Sequence, residues 1–322
     1  MLLPHTRPAT WPAIAPSRYA HTIRCDKPDG CRAALIGLPD DTGVRLNNGR
    51  PGAAFGPAAL RAALGRMGTS FDAAAGREIP ALLFDAGDFQ PRAGGDALAL
   101  ADTHQHLSET AYQCHASGLI PIFVGGGHDL SFPTIRALHR LAGAPLGGIN
   151  LDAHLDVRET IGSGMPFRAL IDGGHIDARR FTVLGAGAFA NARQHVAWLT
   201  SHGGSIVPVE RCRADFSACL SRAFEAAGDG PAFVSIDLDS IDASQAPGVS
   251  AVNPMGLSVE HAVAAGRRAG ADPRVRHFDI MELSPPHDDP AWDAAHSQPG
   301  RTARVAALLV LSFLAGLAER PS

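Results

Sequence analysis

The 322-residue sequence has no CxxC pair, and its five cysteines (Cys25, Cys31, Cys114, Cys212, Cys219) are odd in number and widely spaced. A disulfide framework or a thiolate zinc site is therefore excluded as its organising feature, and a reducing compartment is expected. It also lacks the continuous apolar stretch of about 20 residues that a membrane span needs. The longest run, 305–318, reads as a buried C-terminal helix. The opening MLLPHTRPATWPAIAPSRY is proline-rich without the apolar centre of a secretory signal, so cytoplasm is the expected location. Positive residues are scattered, and the formal net charge of -4 gives no field for nucleic acid or for an anionic membrane. No GxxxxGKS/T phosphate loop and no dinucleotide fingerprint occur.

What remains is an ordinary globular composition, 45% hydrophobic and 19% charged, long enough to bury a sizeable core. Short apolar runs at 34–38, 81–84, 119–124, 147–151, 181–184, 205–209, 232–236 and 276–280 are mostly continuous rather than alternating. Strands covered on both faces read that way. Helical patterns fall between them, at 57–67, 96–117, 133–141, 191–200, 216–227, 258–268 and 301–317. The rhythm predicts an α/β fold, a parallel sheet of about eight strands with helices on both faces. No linker divides the chain, so 1–322 is expected to form one domain with a proline-rich N-terminal extension at about 1–30. Two long loops, 39–56 and 283–300, each follow a predicted strand and belong at the carboxyl edge, where open parallel sheets bind ligands. The 288–300 stretch has no role that its residues reveal.

Polar clusters follow three of the strands directly: Gly125-Gly126-Gly127-His128-Asp129, then Asp152-Ala153-His154-Leu155-Asp156, then Asp237-Leu238-Asp239. A carboxylate just past a buried strand is costly unless it is paired or metal-bound. Residues two apart in extended chain project to the same side, so Asp152 pairs with His154 and Asp237 with Asp239. Alone, each piece is more commonly a cap or a turn. Three of them, each at a strand end, point to metal ligation by His128, Asp152, His154, Asp156, Asp237 and Asp239. Two imidazoles and four carboxylates without thiolate suit Mn2+ or another first-row divalent ion. Four carboxylates match two divalent charges, and a pair of ions about 3.5–4 Å apart can share a water and lower its pKa.

The order GGGHD, NLDAHLD, SIDLD and DIMELSP resembles the ureohydrolase superfamily of arginase, agmatinase and formimidoylglutamase, from about Ile36 to the C-terminal helix. The resemblance implies a three-layer α/β/α fold, two Mn2+ ions per subunit and a homo-oligomer. It places His128, Asp152, Asp156 and Asp237 on one ion and His154, Asp152, Asp237 and Asp239 on the other, with Asp152 and Asp237 bridging. Glu282 matches the glutamate that grips the cationic guanidinium or amidinium of a small-molecule substrate, and Asp156 is the natural proton shuttle.

Arginase and agmatinase carry a histidine a short way past the DAHxD motif. Here Gly162-Ser163-Gly164-Met165-Pro166-Phe167 places Ser163 there, like the SGTPF of formimidoylglutamases except at Met165. The segments Gly43-Val44-Arg45-Leu46-Asn47-Asn48-Gly49-Arg50 and Ala246-Pro247-Gly248-Val249-Ser250-Ala251 resemble the same branch. It acts on a substrate with two carboxylates, which need cationic partners. Arg158, Arg50 and Arg168 are the candidates, with Asn48 and Ser163 beside them; a loop salt bridge is the other role open to Arg50 and Arg168. The implied reaction is hydrolysis of N-formimidoyl-L-glutamate to L-glutamate and formamide, in histidine breakdown. The alternatives are a urea-releasing agmatinase or guanidino-acid hydrolase, and a non-catalytic metal-binding member of the fold.

Overall fold

The computed structural model describes residues 3–291 and 298–321. Its strands are β1 (Thr6–Arg7), β2 (Ala33–Gly37), β3 (Phe71–Asp72), β4 (Arg77–Glu78), β5 (Leu83–Phe89), β6 (Ile120–Val124), β7 (Leu146–Leu151), β8 (Ile176–Ala186), β9 (Ser205–Pro208), β10 (Ala232–Asp237) and β11 (Val275–Met281). The α-helices are α1 (Thr42–Leu46), α2 (Gly56–Arg66), α3 (Ala97–Ala116), α4 (Ser131–Ala142), α5 (Pro166–Asp172), α6 (Arg193–Ser201), α7 (Val209–Ala214), α8 (Phe216–Ala226), α9 (Val259–Ala271) and α10 (Arg301–Leu317).

Nine strands form one sheet in the order β1-β5-β2-β6-β11-β10-β7-β8-β9. The eight from β5 to β9 are parallel, at the positions the apolar runs predict; β1 adds an antiparallel edge, Thr6 opposite Phe89. Successive strand residues face opposite layers. Val234 and Ile236 join the core with α2, α8, α9 and α10, whereas Phe233 joins the one with α4, α5 and α6. Ala34, Ile36 and Phe123 pack with α3. The result is a three-layer α/β/α sandwich. β1, the β3–β4 hairpin and the short helices α1, α5 and α7 were not expected, because two to seven residues inside a loop carry too little periodicity to stand out.

The N-terminal stretch lies on the β5 edge, where Trp11 Nε1 donates to Asp85 Oδ2 at 2.6 Å. The same carboxylate receives Arg61 of α2, a guanidinium only 1% exposed. Arg61 donates through Nε and Nη2 to both Asp85 oxygens at 2.8 and 2.9 Å and through Nη1 to Asp88 at 2.6 Å. The two carboxylates outweigh burial and hold its proton more firmly than usual. At the other end Asp288 accepts from the first amides of α10, Thr302 and Ala303, at 2.9 and 3.0 Å, an anion at a helix N-terminus. The centre of the 288–300 stretch, 292–297, lies outside the described residues. No helix among the described residues is long and apolar enough to cross a membrane.

Candidate metal centre

β6, β11, β10 and β7 are neighbours at the middle of the sheet, so their carboxyl ends open on one point. After β6 the chain turns through Gly125 and Gly126, at φ +86° and +77°. A Cβ on Gly126 would stand 2.6 Å from the Leu38 carbonyl oxygen, so only glycine makes this turn. Glu282 N donates to Gly126 O, and Glu282 Oε1 accepts from the His128 amide, both at 3.0 Å. The ends of β6 and β11 are thus stitched together. Asp156 and Glu282 both take left-handed φ values, +50° and +63°, a conformation that costs non-glycine residues about 1–3 kcal/mol and clusters at functional sites.

The six expected ligands converge. His128 Nδ1 lies 2.9 Å from Asp156, 3.1 Å from Asp237 and 3.3 Å from Asp152. His154 Nδ1 lies 3.1 Å from Asp239 and 3.5 Å from Asp152. Among the described residues two sets able to hold an ion emerge, His128 with Asp152, Asp156 and Asp237, and His154 with Asp152 and Asp239. Asp152 belongs to both sets. Asp237, expected to bridge as well, falls in the first, and its Oδ1 accepts from the Asp239 amide at 2.8 Å.

Supporting groups hold these ligands. Asn150 Nδ2 donates to Asp152 at 3.0 Å. His128 Nε2 meets Ser235 Oγ at 2.9 Å, and Ser235 Oγ donates to Asp279. Because the serine proton is committed to Asp279, Nε2 must be the donor, which leaves the Nδ1 lone pair aimed into the cluster.

Two observations test whether metal fits. Among the described residues, buried His128 Nδ1, Asp239 Oδ1 and Glu282 Oε2 have no hydrogen-bond partner, so each is free to face a cation or a substrate. The charges are also out of balance. Burial, with the Asp239 and Asp152 carboxylates, pushes Asp237 well above the usual carboxylate range. Burial lifts Asp239 to about 6 despite His154, and burial with Asp237 raises Glu282 well above its ordinary value. The Asp239 carboxylate raises His154. Burial opposes charging His128, yet Asp152, Asp156 and Asp237 outweigh it. Crowded carboxylates of this kind need neighbouring positive charge, and two divalent ions would supply it.

The cluster floors a cavity of ≈ 340 Å³ lined by Asn48, Arg50, Arg158, Ser163, Asp156 and Glu282, among others. Asn47 organises one wall: its Nδ2 donates to Ser163 Oγ at 3.2 Å and its Oδ1 accepts from Arg158 Nη1 at 2.7 Å. Arg50 lines the cavity too, but its Nε and Nη2 donate to the Ser250 and Val249 carbonyls at 2.9 and 2.7 Å, fastening two loops. Arg168 does not line the cavity. It pairs with Glu159 at 3.0 Å and stacks on Trp198, the salt-bridge role, because α5 turns it outward. Asn47, in the Gly43–Arg50 segment but not singled out there, and Asn191 and His195 also line the cavity. Asn191 clamps the Asp152–Asp156 loop, accepting from Leu155 N and donating to Ala153 O, both at 2.9 Å. Its position after a predicted strand was the available signal.

A parallel α/β/α sheet whose central strands end in such a cluster defines a class of hydrolases that activate water at paired ions. The arginase family model matches residues 31–316, and the chain belongs to that family. It is 34% identical over 296 residues to a formimidoylglutamase of Halobacterium salinarum, covering 89% of each chain. It is 35% identical over 308 residues to one of Ralstonia nicotianae, covering 89% of this chain and 86% of that one. Among solved structures, the Mn2+-containing formiminoglutamase of Trypanosoma cruzi superposes with a TM-score of 0.84 at 31% identity, covering 94% of this chain and 99% of that one.

Proposed function

We propose that this hydrolase acts on N-formimidoyl-L-glutamate, the substrate that its formimidoylglutamase relatives are named for, cleaving it to L-glutamate and formamide, and that it serves histidine breakdown in the cytoplasm. The observation that carries the reading is the wall built by Asn47. It holds a serine at the position where the arginase and agmatinase motif pattern has a histidine, and beside it a cation, Arg158, suited to a carboxylate.

Manganese is the ion we assign to the cluster, with His128, Asp152, Asp156 and Asp237 around one ion and Asp152, His154 and Asp239 around the other. When bound, the pair supplies a water of lowered pKa and polarises the reacting group. Glu282, with Oε1 committed to the His128 amide, offers its unpartnered Oε2 to the amidinium N–H groups and holds the amidine carbon over the cluster. Asp156 takes a proton from the attacking water and delivers it to the departing glutamate nitrogen. Water adds its oxygen to the amidine carbon, the C–N bond to glutamate breaks, and formamide leaves with the second nitrogen. Arg158 and the groups around Ser163 hold the substrate carboxylates.

Mn2+-loaded protein given formimidoylglutamate is expected to release formamide and glutamate in equal amounts, with no urea from agmatine or guanidino acids. Urea alone would assign the site to the guanidino-hydrolysing branch, and no turnover of either substrate would favour a binding protein. Arg158→Ala is expected to raise KM roughly 10- to 100-fold with kcat little changed, because a charged hydrogen bond contributes about 1.5–3 kcal/mol and acts on ground and transition states alike. An unchanged KM in steady-state kinetics would remove Arg158 from the substrate site.

A further inference from the structure

We infer that His277 is a positioning residue for the metal ligand His128, acting through Asp279 and Ser235. Ser235 on β10 and Asp279 on β11 are direct partners across the parallel ladder, which places both beneath the cluster. Ser235, His277 and Asp279 are each 0% exposed. His277 Nε2 lies 2.8 Å from Asp279 Oδ2, and because a carboxylate only accepts, the imidazole donates. Ser131 Oγ donates to the same oxygen at 2.9 Å, while Ser235 Oγ donates to Oδ1. Among the described residues Asp279 has no arginine or lysine partner, so these three side-chain donors satisfy a fully buried carboxylate.

The chain of bonds runs one way. His277 and Ser131 fix the Asp279 carboxylate; Asp279 commits the Ser235 proton; Ser235 then accepts from His128 Nε2; His128 Nδ1 is left to face the cluster. His277 is itself held by packing rather than by further hydrogen bonds. It stacks on His115 at 5.8 Å between ring centres with 26° between planes and leans on Phe123 at 5.2 Å, while its Nδ1 has no hydrogen-bond partner among the described residues. Burial, with His277 alongside, pushes the His115 imidazole well below its ordinary range, so His115 adds no positive charge to the stack. Supporting partners of ligating histidines typically alter metal affinity about 10–100-fold. His154 and Asp239 of the second set have no bond to this chain among the described residues, and only the shared Asp152 links the two, so the effect falls chiefly on the His128 side.

The inference rests on the two-ion reading of the cluster, and the test separates the two. Metal-stripped full-length protein is titrated with Mn2+ for wild type, His277→Leu, His277→Gln and Ser131→Ala. Electron paramagnetic resonance distinguishes paired from isolated ions, and anomalous scattering at partial loading locates the retained one. Wild type is expected to take up a coupled pair. His277→Leu is expected to bind the His128-side ion roughly 10- to 100-fold more weakly and hold an isolated ion beside His154; His277→Gln, which restores a donor, is expected to recover most of the loss. Ser131→Ala removes a donor with little change of volume and is expected to show the same one-sided loss even where His277→Leu fails to fold. Wild-type affinities at both sites in His277→Leu, equal weakening of both, or no recovery with His277→Gln would overturn the inference while leaving the two-ion reading intact. A wild-type chain that never takes up a pair would overturn both.

Discussion

Asp237→Ala is expected to abolish hydrolysis and to prevent the protein from holding a pair of ions, while the chain still folds. Asp237 is 2% exposed, its Oδ2 lies 3.1 Å from His128 Nδ1, and it sits between the two ion sets through its bond to the Asp239 amide. Losing it removes one of the charges that balance two divalent cations and opens the His128 set. Ions at such sites contribute several kcal/mol of transition-state stabilisation, and each 1.36 kcal/mol is tenfold in rate, so activity should fall roughly 1000-fold or more. The metal-free variant should be no less stable than metal-free wild type. Burial and the neighbouring Asp239 and Asp152 carboxylates disfavour an ionised Asp237, and alanine relieves that crowding. What the variant should lose is the part of the rise in melting temperature on adding Mn2+ that comes from the His128-side ion, since a bound ion stabilises only the state that holds it. Metal analysis after dialysis, initial rates and thermal unfolding with and without Mn2+ report the three quantities. A fully active variant would sink the two-ion mechanism.

Arg61→Met is expected to have the largest effect on folding and a small one on the site. The guanidinium joins α2 to β5 by donating to both oxygens of Asp85 and to Asp88, with almost no exposure to water. Removing one partner of a buried ion pair leaves the other charge uncompensated, which costs about 3–5 kcal/mol. Asp85 keeps its bonds from Trp11 Nε1 and the Gly87 amide, so the lower part of that range applies. A urea titration should show the midpoint moved down with the slope unchanged, and the folded fraction should keep its metal content, because the strands that carry the ligands lie beyond β2 in the sheet order. A loss below about 1 kcal/mol would mean that Asp85 and Asp88 are satisfied without the arginine.

Arg61 also marks a boundary in what the amino-acid order reveals. In a helical pattern at 57–67 it reads as one more surface charge, and only the packing of α2 on the β5 edge buries it. Arg50, Arg158 and Arg168 divide in the same way. All three are cations near ligand-bearing loops, yet Arg158 meets Asn47 in the cavity, Arg50 fastens backbone carbonyls and Arg168 turns away onto Trp198. The supporting role of Ser235 and Asp279 is not legible for another reason: both stand in the SIDLD and DIMELSP motifs, but their bond needs β10 and β11 to be neighbours in register.

The candidate metal ligands stand out in the sequence for a covalent reason. His128, Asp152, His154, Asp156, Asp237 and Asp239 each stand within a few residues of the end of a continuous apolar strand, and a spacing of two sets which side chains share a side. Strand spacing and strand ends are local properties, so the sequence by itself determined the parallel sheet, its carboxyl-edge cluster and Glu282 beside it. Which strands lie adjacent, which oxygen each ligand turns inward and which arginine reaches the cavity depend on contacts between residues far apart in the chain. Asn47 and Ser163, for example, meet across 116 positions. Burial and long-range hydrogen bonding choose among such arrangements, and only the folded chain contains them.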